Sequence, residues 1–277
     1  MSLPYVRSIP YLSPSALQML EERPAEFYFR RLGPPEFAPP REEQSFPAAV
    51  GIAFDAMVKE RIARERGFRC PSLDFMLNEV KCERERALAV AKTLMEGYAY
   101  SGAMCRLLDE KPQAVAVDGE DFAPGTRVPV RTRIDCIVKP GMVPVIHDWK
   151  TAGANRPGTR SPSQGYNRLW DTDQPGVPLG AHAKSGLPLE QLDSNWATQV
   201  VMYGWAQGYP VSSELTGSID EVIAWHGARV RVAQFRAPIT VEFQLGVKAR
   251  LEEAWRRIED RRVIDPNLTL EEARVLL

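Results

Sequence analysis

Apolar residues recur at helical spacing through the first 110 or so positions of the chain and at strand spacing beyond Pro112. Leu17, Leu20, Phe27 and Leu32 predict an opening helix, started by Ser13 as its cap with Pro14 in the first turn. Pro24 predicts a break or kink near the middle of that helix, because it lacks the N–H that the helix interior needs. The stretch 33–44 is rich in proline and charge and reads as loop. Val50, Phe54, Met57, Val58 and Ile62 make one apolar stripe, predicting a second helix over Pro47–Arg66 that ends at Gly67. A third helical stretch is expected from Leu77 to Leu108.

The period then shortens. Ala114–Val117, Thr126–Val138 and Val143–Lys150 read as strands, and Lys139-Pro140-Gly141-Met142 as the tight reversal that joins the last two into a hairpin. A helix over Asn195–Gly208, strands over Glu221–His226 and Arg229–Phe235, and a final helix over Thr240–Arg262 complete the order. Thr151–Ser194 shows no sustained period and is rich in Gly and Pro, which reads as a long loop insertion rooted at Lys150. Helices followed by a strand meander, then helix, strands and helix, predict an α/β (α+β layered) core with a central sheet flanked by helices. The expected organisation is a single domain, with a helical part over 12–108, a core over 112–262 and the insertion at 151–194.

Composition narrows the classes of function. The chain has 277 residues, 44% hydrophobic and 26% charged, enough to bury a real interior. It contains no apolar run of the roughly 20 residues that a membrane span requires, and Met1–Tyr11 does not read as a secretory signal. The expected location is therefore the cytoplasm, with no membrane partner. Cys70, Cys82, Cys105 and Cys136 show no C-x-x-C spacing, and the only histidines are His147, His182 and His226. Metal chemistry would have to rest on carboxylates, which favours hard ions such as Mg2+ or Mn2+. The net charge is −1, but residues 121–170 hold eight Lys and Arg against three acids. That asymmetry predicts a local basic face, the other reading being a solvated surface with counter-charges elsewhere in the fold.

Candidate chemistry concentrates at Asp148-Trp149-Lys150. Three acidic-x-Lys triplets occur in the chain, and two sit in unpromising places: Glu79-Val80-Lys81 in a charged helix start, and Asp109-Glu110-Lys111 ahead of Pro112. Only the third ends an apolar strand. Residues two apart on a strand share a face, so Asp148 and Lys150 are expected to point into one volume while Trp149 points away. Asp135, ending the preceding strand, could add a second carboxylate. Carboxylates that hold a metal beside a fixed positive charge are what phosphodiester hydrolysis needs. Structural alternatives stand beside each role: Asp135 could pair with Arg133 or Arg131, Lys150 could simply neutralise Asp148 at the surface, and Tyr203 and Trp205 could be core aromatics.

Taken in order, Asp135, Asp148-x-Lys150 and Gln199-x-x-x-Tyr203 resemble the PD-(D/E)XK nuclease superfamily, and its RecB-like exonuclease branch in particular. The opening Leu12-Ser13-Pro14-Ser15-Ala16-Leu17, the aromatic run Phe27-Tyr28-Phe29-Arg30 and Gly51-Ile52-Ala53-Phe54-Asp55-Ala56-Met57 are similar to that branch as well. The resemblance implies a restriction-endonuclease-like core with a mixed sheet and metal-dependent hydrolysis of DNA, as an exonuclease. It implies Asp135, Asp148 and Lys150 as catalytic residues, Asp55, Asp135, Asp148 and the Trp149 carbonyl as ligands to Mg2+ or Mn2+, and Gln199 and Tyr203 as supports of the site or contacts to nucleic acid. DNA is the implied partner, with a recombination or replication protein as a further one. Asp55 stands where the branch carries a histidine, so it is either a harder ligand or merely the i+4 partner of Lys59 on an exposed helix face. No cysteine stands where cluster-bearing members have one, so no iron–sulfur cluster is expected. A catalytically inactive nuclease-like module that binds DNA or a partner protein is the other reading.

Overall fold

The computed structural model describes residues 3–138, 143–153, 167–172, 187–211, 213–224 and 230–277. The expected reversal at 139–142 and the expected His226 end of a strand lie outside these residues, as do His182, Arg156 and Arg160. Helices α1 (Pro14–Glu22) and α2 (Pro24–Arg31) are the two halves of the expected opening helix, broken at Pro24. Ser13 caps α1 by accepting from the Ala16 N–H. Helix α3 (Phe46–Arg66) is capped by Ser45 and ended by Gly67 at φ +71°, a left-handed conformation that suits glycine.

The single helix expected over 77–108 is instead three: α4 (Leu73–Leu77), α5 (Arg84–Tyr100) and α6 (Ala103–Asp109). Backbone chemistry explains the cuts. Glu83 and Gly102 both take positive φ, immediately before α5 and α6, and neither conformation continues a helix.

Among the described residues, six strands form one mixed sheet in the order β1-β2-β3-β5-β6-β4. They are β1 (Pro112–Phe122), β2 (Pro129–Val138), β3 (Val145–Gly153), β4 (Asn167–Asp171), β5 (Leu215–Ala224) and β6 (Val230–Ile239). Strands β2 and β3 form the expected antiparallel hairpin, with Cys136 opposite His147 and Val138 opposite Val145. Strand β5 joins β3 in parallel, reached through α7 (Leu189–Leu192) and α8 (Ser194–Trp205). The stretch 151–194 is thus not a uniform loop: β3 runs to Gly153, β4 pairs antiparallel with β6 at the sheet edge, and α7 ends the stretch. The last two helices are α9 (Val241–Glu259) and α10 (Leu270–Arg274), the latter begun by a Thr269/Glu272 capping box.

Helices cover both faces of the sheet. One interior gathers Leu17, Leu20, Phe27 and Phe29 of the first helices with Val201 of α8, Leu251 of α9, and Ile146, Ile219 and Phe235 of the sheet. The other gathers Phe54 and Ile62 of α3 and Tyr98 of α5 with Cys136, Trp149, Val222 and Val232. Gly51 lets α3 lie close to β3: a methyl group there would come within 3.2 Å of the Thr151 hydroxyl oxygen, one residue beyond Lys150. Between the two interiors, the end of the β2–β3 hairpin is clasped by α3 and α8. No helix among the described residues is long and apolar enough to cross a membrane.

Candidate active site

Strand alternation sorts β3 as its sequence predicts. Trp149 turns into the α3–α5 interior, where its Nε1 donates to the Tyr98 hydroxyl at 3.3 Å. Asp148 and Lys150 turn the other way, toward α8. The Lys150 Nζ donates to Asp148 Oδ2 and lies 4.9 Å from the centre of the Trp196 ring. This is not a plain surface ion pair, because only 15% of the Asp148 side chain and 31% of Lys150 is exposed.

Asp135 joins this pair from β2, and its carboxyl group is close enough to Asp148 to share a hydrogen bond. Its charged partner is neither of the arginines on its own strand. Arg133 reaches Glu79 and Arg131 lies against Tyr11, while Asp135 Oδ1 accepts from Lys59 Nζ at 2.5 Å. Lys59 also donates to Asp55 Oδ2 at 2.5 Å. The i+4 pairing of Asp55 with Lys59 is therefore present, but the helix face is not exposed: the Lys59 side chain is 4% accessible and sits inside the site.

Five charged groups thus form one cluster: Asp55, Asp135 and Asp148 against Lys59 and Lys150. Their protonation follows from burial and from these neighbours. Burial, with Asp135 adding to it, pushes Asp55 up from an ordinary 3.8 to about 7. Burial likewise pushes Asp148 up to about 6, against the opposing pull of Lys150. Burial acts the same way on Asp135, but Lys59, the hydrogen bond from Asp148 and Lys150 outweigh it and hold this carboxyl below its ordinary range. Burial alone would lower Lys59 and Lys150; their carboxylate partners prevail and raise both.

Helix α8 closes the site. Gln199 and Tyr203, one turn apart, are joined by a hydrogen bond from Gln199 Nε2 to the Tyr203 hydroxyl. Burial, then the charge of Asp135, holds the Tyr203 phenol well above its ordinary value. Tyr203 and Trp205 are both core aromatics of the same interior, 8% and 1% exposed. A cleft of about 990 Å³ opens from this end of α8, lined among others by Tyr11, Phe75, Arg131, Arg133, Trp196 and Gln199. Arginines and aromatic rings meet there beside Glu79, Asp118 and Asp193, while Asp135, Asp148 and Lys150 are not among its lining residues.

The fit of this cluster to a metal ion rests on its atoms. The donors are all carboxylate oxygens, the set suited to Mg2+ or Mn2+. Asp55 Oδ1 is buried with no hydrogen-bond partner, an acceptor left for a cation or water. Among the described residues no three His, Cys, Asp or Glu side chains stand together as a ready ligand group. Asp135 and Asp148 are together; Asp55 meets them through Lys59. Trp149 lies opposite Asp220 in the β3–β5 ladder. Two members were not foreseen as site residues. Lys59 carried only its i+4 signal to Asp55, and Trp196 is one aromatic in an amphipathic helix, with no signal of its own beyond lying one turn before Gln199.

Comparison with known proteins identifies the family and the fold. The sequence profile of the PD-(D/E)XK nuclease superfamily matches residues 11–177. A solved structure from Eubacterium rectale, bearing the name "Putative exonuclease", is similar over 94% of this chain and 83% of its own, with a TM-score of 0.50 and 13% identity. A second solved structure, of SSO0001, aligns over 91% of this chain and 88% of its own at 12% identity, with a TM-score of only 0.27. No curated protein sequence matches the chain.

Proposed function

The chain belongs to the PD-(D/E)XK nuclease superfamily, its mixed sheet flanked by helices is the restriction-endonuclease-like fold, and from that premise we propose that it is a Mg2+- or Mn2+-dependent deoxyribonuclease acting as an exonuclease. The observation that carries the reading is the convergence of Asp135, Asp148 and Lys150 at the open end of the β2–β3 hairpin. The name of the Eubacterium rectale neighbour supports the exonuclease part. In this reading the helical part 12–108 and the core 112–262 act as one domain, since α3 and α8 both contribute to one site.

Asp135 and Asp148 would hold the ion, with Asp55 adding its free Oδ1. Bound there, a divalent ion supplies a hydroxide nucleophile near neutral pH and neutralises charge on the phosphate oxygens. Lys150, held by Asp148 and the Trp196 ring, presents an ammonium where negative charge builds as water adds to phosphorus and the P–O bond to the leaving sugar breaks. Gln199 and Tyr203 fix the wall of the site facing these carboxylates. Arg131 and Arg133 suit phosphates, and Tyr11, Phe75 and Trp196 suit bases, so the DNA strand would follow the cleft they line.

The test is degradation of end-labelled linear DNA with Mg2+ or Mn2+ against a chelator control. The wild-type chain is expected to release short products from ends only with an ion present, and Lys150→Ala to cut about a hundredfold or more slowly while still folded. A wild-type chain that binds DNA yet cuts it with neither ion is a binding module, and the nuclease reading fails.

A further inference from the structure

A buried ammonium already occupies the space between two of the three carboxylates. Lys59 Nζ lies 2.5 Å from Asp55 Oδ2 and 2.5 Å from Asp135 Oδ1. Charge-assisted N–H···O contacts normally span about 2.7–2.9 Å, so both bonds are closed. Magnesium demands near-octahedral ligands at about 2.0–2.1 Å and keeps several waters, and no such shell fits between oxygens bridged by an amine. Lys59 has no easy way out. Its helical neighbours Val58 and Ile62 are fully buried, and swinging the amine away would strand a charge among apolar groups.

The count of charges points the same way. With all three carboxyls ionised, the state that ion binding favours, three carboxylates face two ammonium groups, so one divalent ion turns a small excess of negative charge into a small excess of positive. That balance attracts a phosphodiester. Two divalent ions, which in two-metal sites sit about 3.5–4 Å apart, would have to share these oxygens with Lys59 as well.

We infer that the site takes one divalent ion, held by Asp135 and Asp148, and that the Lys59 ammonium stands where a second ion would bridge Asp55 and Asp135. The inference rests on the metal-site reading given above. It makes Lys59 a positioning residue that orients Asp135 and Asp55 toward the single ion.

Manganese itself is the probe. Equilibrium binding to the wild-type chain is expected to saturate at one Mn2+ per chain, with an electron paramagnetic resonance spectrum free of Mn–Mn coupling. In Lys59→Met, which keeps the volume and removes the charge, two Mn2+ are expected, with coupling between them. Two coupled ions in the wild type overturn the inference and leave the metal site standing; so does a folded Lys59→Met that binds only one. Binding by neither chain removes the metal-site reading itself. If Lys59→Met fails to fold, Lys59→Gln, neutral but still a hydrogen-bond donor, takes the same measurement, and the wild-type stoichiometry decides independently of any variant.

Discussion

Strand β3 carries two polar clusters on its alternate residues, and they differ both in access and in composition. Asp148 and Lys150 belong to the cluster toward α8, where carboxylates are 15–31% exposed, and Asp55 keeps an oxygen without a partner. His147 and Trp149 belong to a sealed cluster with Tyr98 and Asp220, in which His147, Tyr98 and Asp220 have no solvent exposure. There Tyr98 donates to Asp220, Trp149 donates to Tyr98, and His147 Nε2 sits 3.3 Å from Asp220 Oδ2 without the alignment of a good hydrogen bond. The open cluster keeps its charges partly accessible to solvent, and the sealed one holds the strand against α5 and β5.

If that contrast is right, substitutions in the two clusters should separate activity from stability. The largest effect is expected from Lys150→Ala, a loss of about a hundredfold or more in cutting rate at nearly wild-type stability. Asp220→Ala should do the opposite. It strands the Tyr98 hydroxyl in a fully buried site, and an orphaned polar group costs about 1–3 kcal/mol. The urea midpoint should fall accordingly, with the slope unchanged, while the folded protein cuts DNA within about threefold of wild type, as expected of a site with no shared partners. An Asp220→Ala chain that is stable but inactive would merge the two clusters into one.

The pH dependence sharpens the contrast next. Asp55 and Asp148 titrate at about 7 and about 6 in the folded chain, against an ordinary 3.8. Between those limits the folded chain binds more protons than the unfolded one, so stability falls as pH rises. The lowered Asp135 acts with the opposite sign and only below its ordinary value, outside that window. With chelator present, the melting temperature of the wild type should therefore drop from pH 4 to 7.5 more steeply than that of Asp55→Asn. Saturating Mn2+ should flatten the drop, because ion binding favours the deprotonated carboxylates. Equal slopes in wild type and Asp55→Asn would show that Asp55 does not carry this charge penalty.

How much of this is legible in the sequence depends on the range over which each signal acts. The break at Pro24, the β2–β3 hairpin and the opposed faces of Asp148 and Trp149 follow from local rules, and the structure has all three. Strand β1 runs beyond its apolar run Ala114–Val117 through Asp118-Gly119-Glu120-Asp121, charges that a sheet edge tolerates. Strand β4 was hidden for a related reason, being a short edge strand inside a stretch without period. Lys59 shows the limit most clearly. Its i+4 partner Asp55 can be read from spacing, whereas Asp135 lies 76 residues away and meets it only because α3 packs on the hairpin.

The smallest expected effect tests whether α8 helps the open cluster through Lys150 or through the substrate. Trp196 places its ring 4.9 Å from Lys150 Nζ, a cation–π contact worth about 0.5–1 kcal/mol at a partly exposed site. If the ring only holds the amine, Trp196→Leu should lower the maximal rate about two- to fivefold at unchanged KM. Placed on a Lys150→Ala background, the same substitution should then do nothing further. Trp196 also lines the cleft, however, where base stacking is worth about 1–3 kcal/mol per base. A ring used that way would raise KM by tenfold or so in both backgrounds, and Trp196→Phe, which keeps an aromatic face, would restore most of it. The double-mutant cycle over Trp196 and Lys150 therefore reports whether this helix acts on the charge or on the strand.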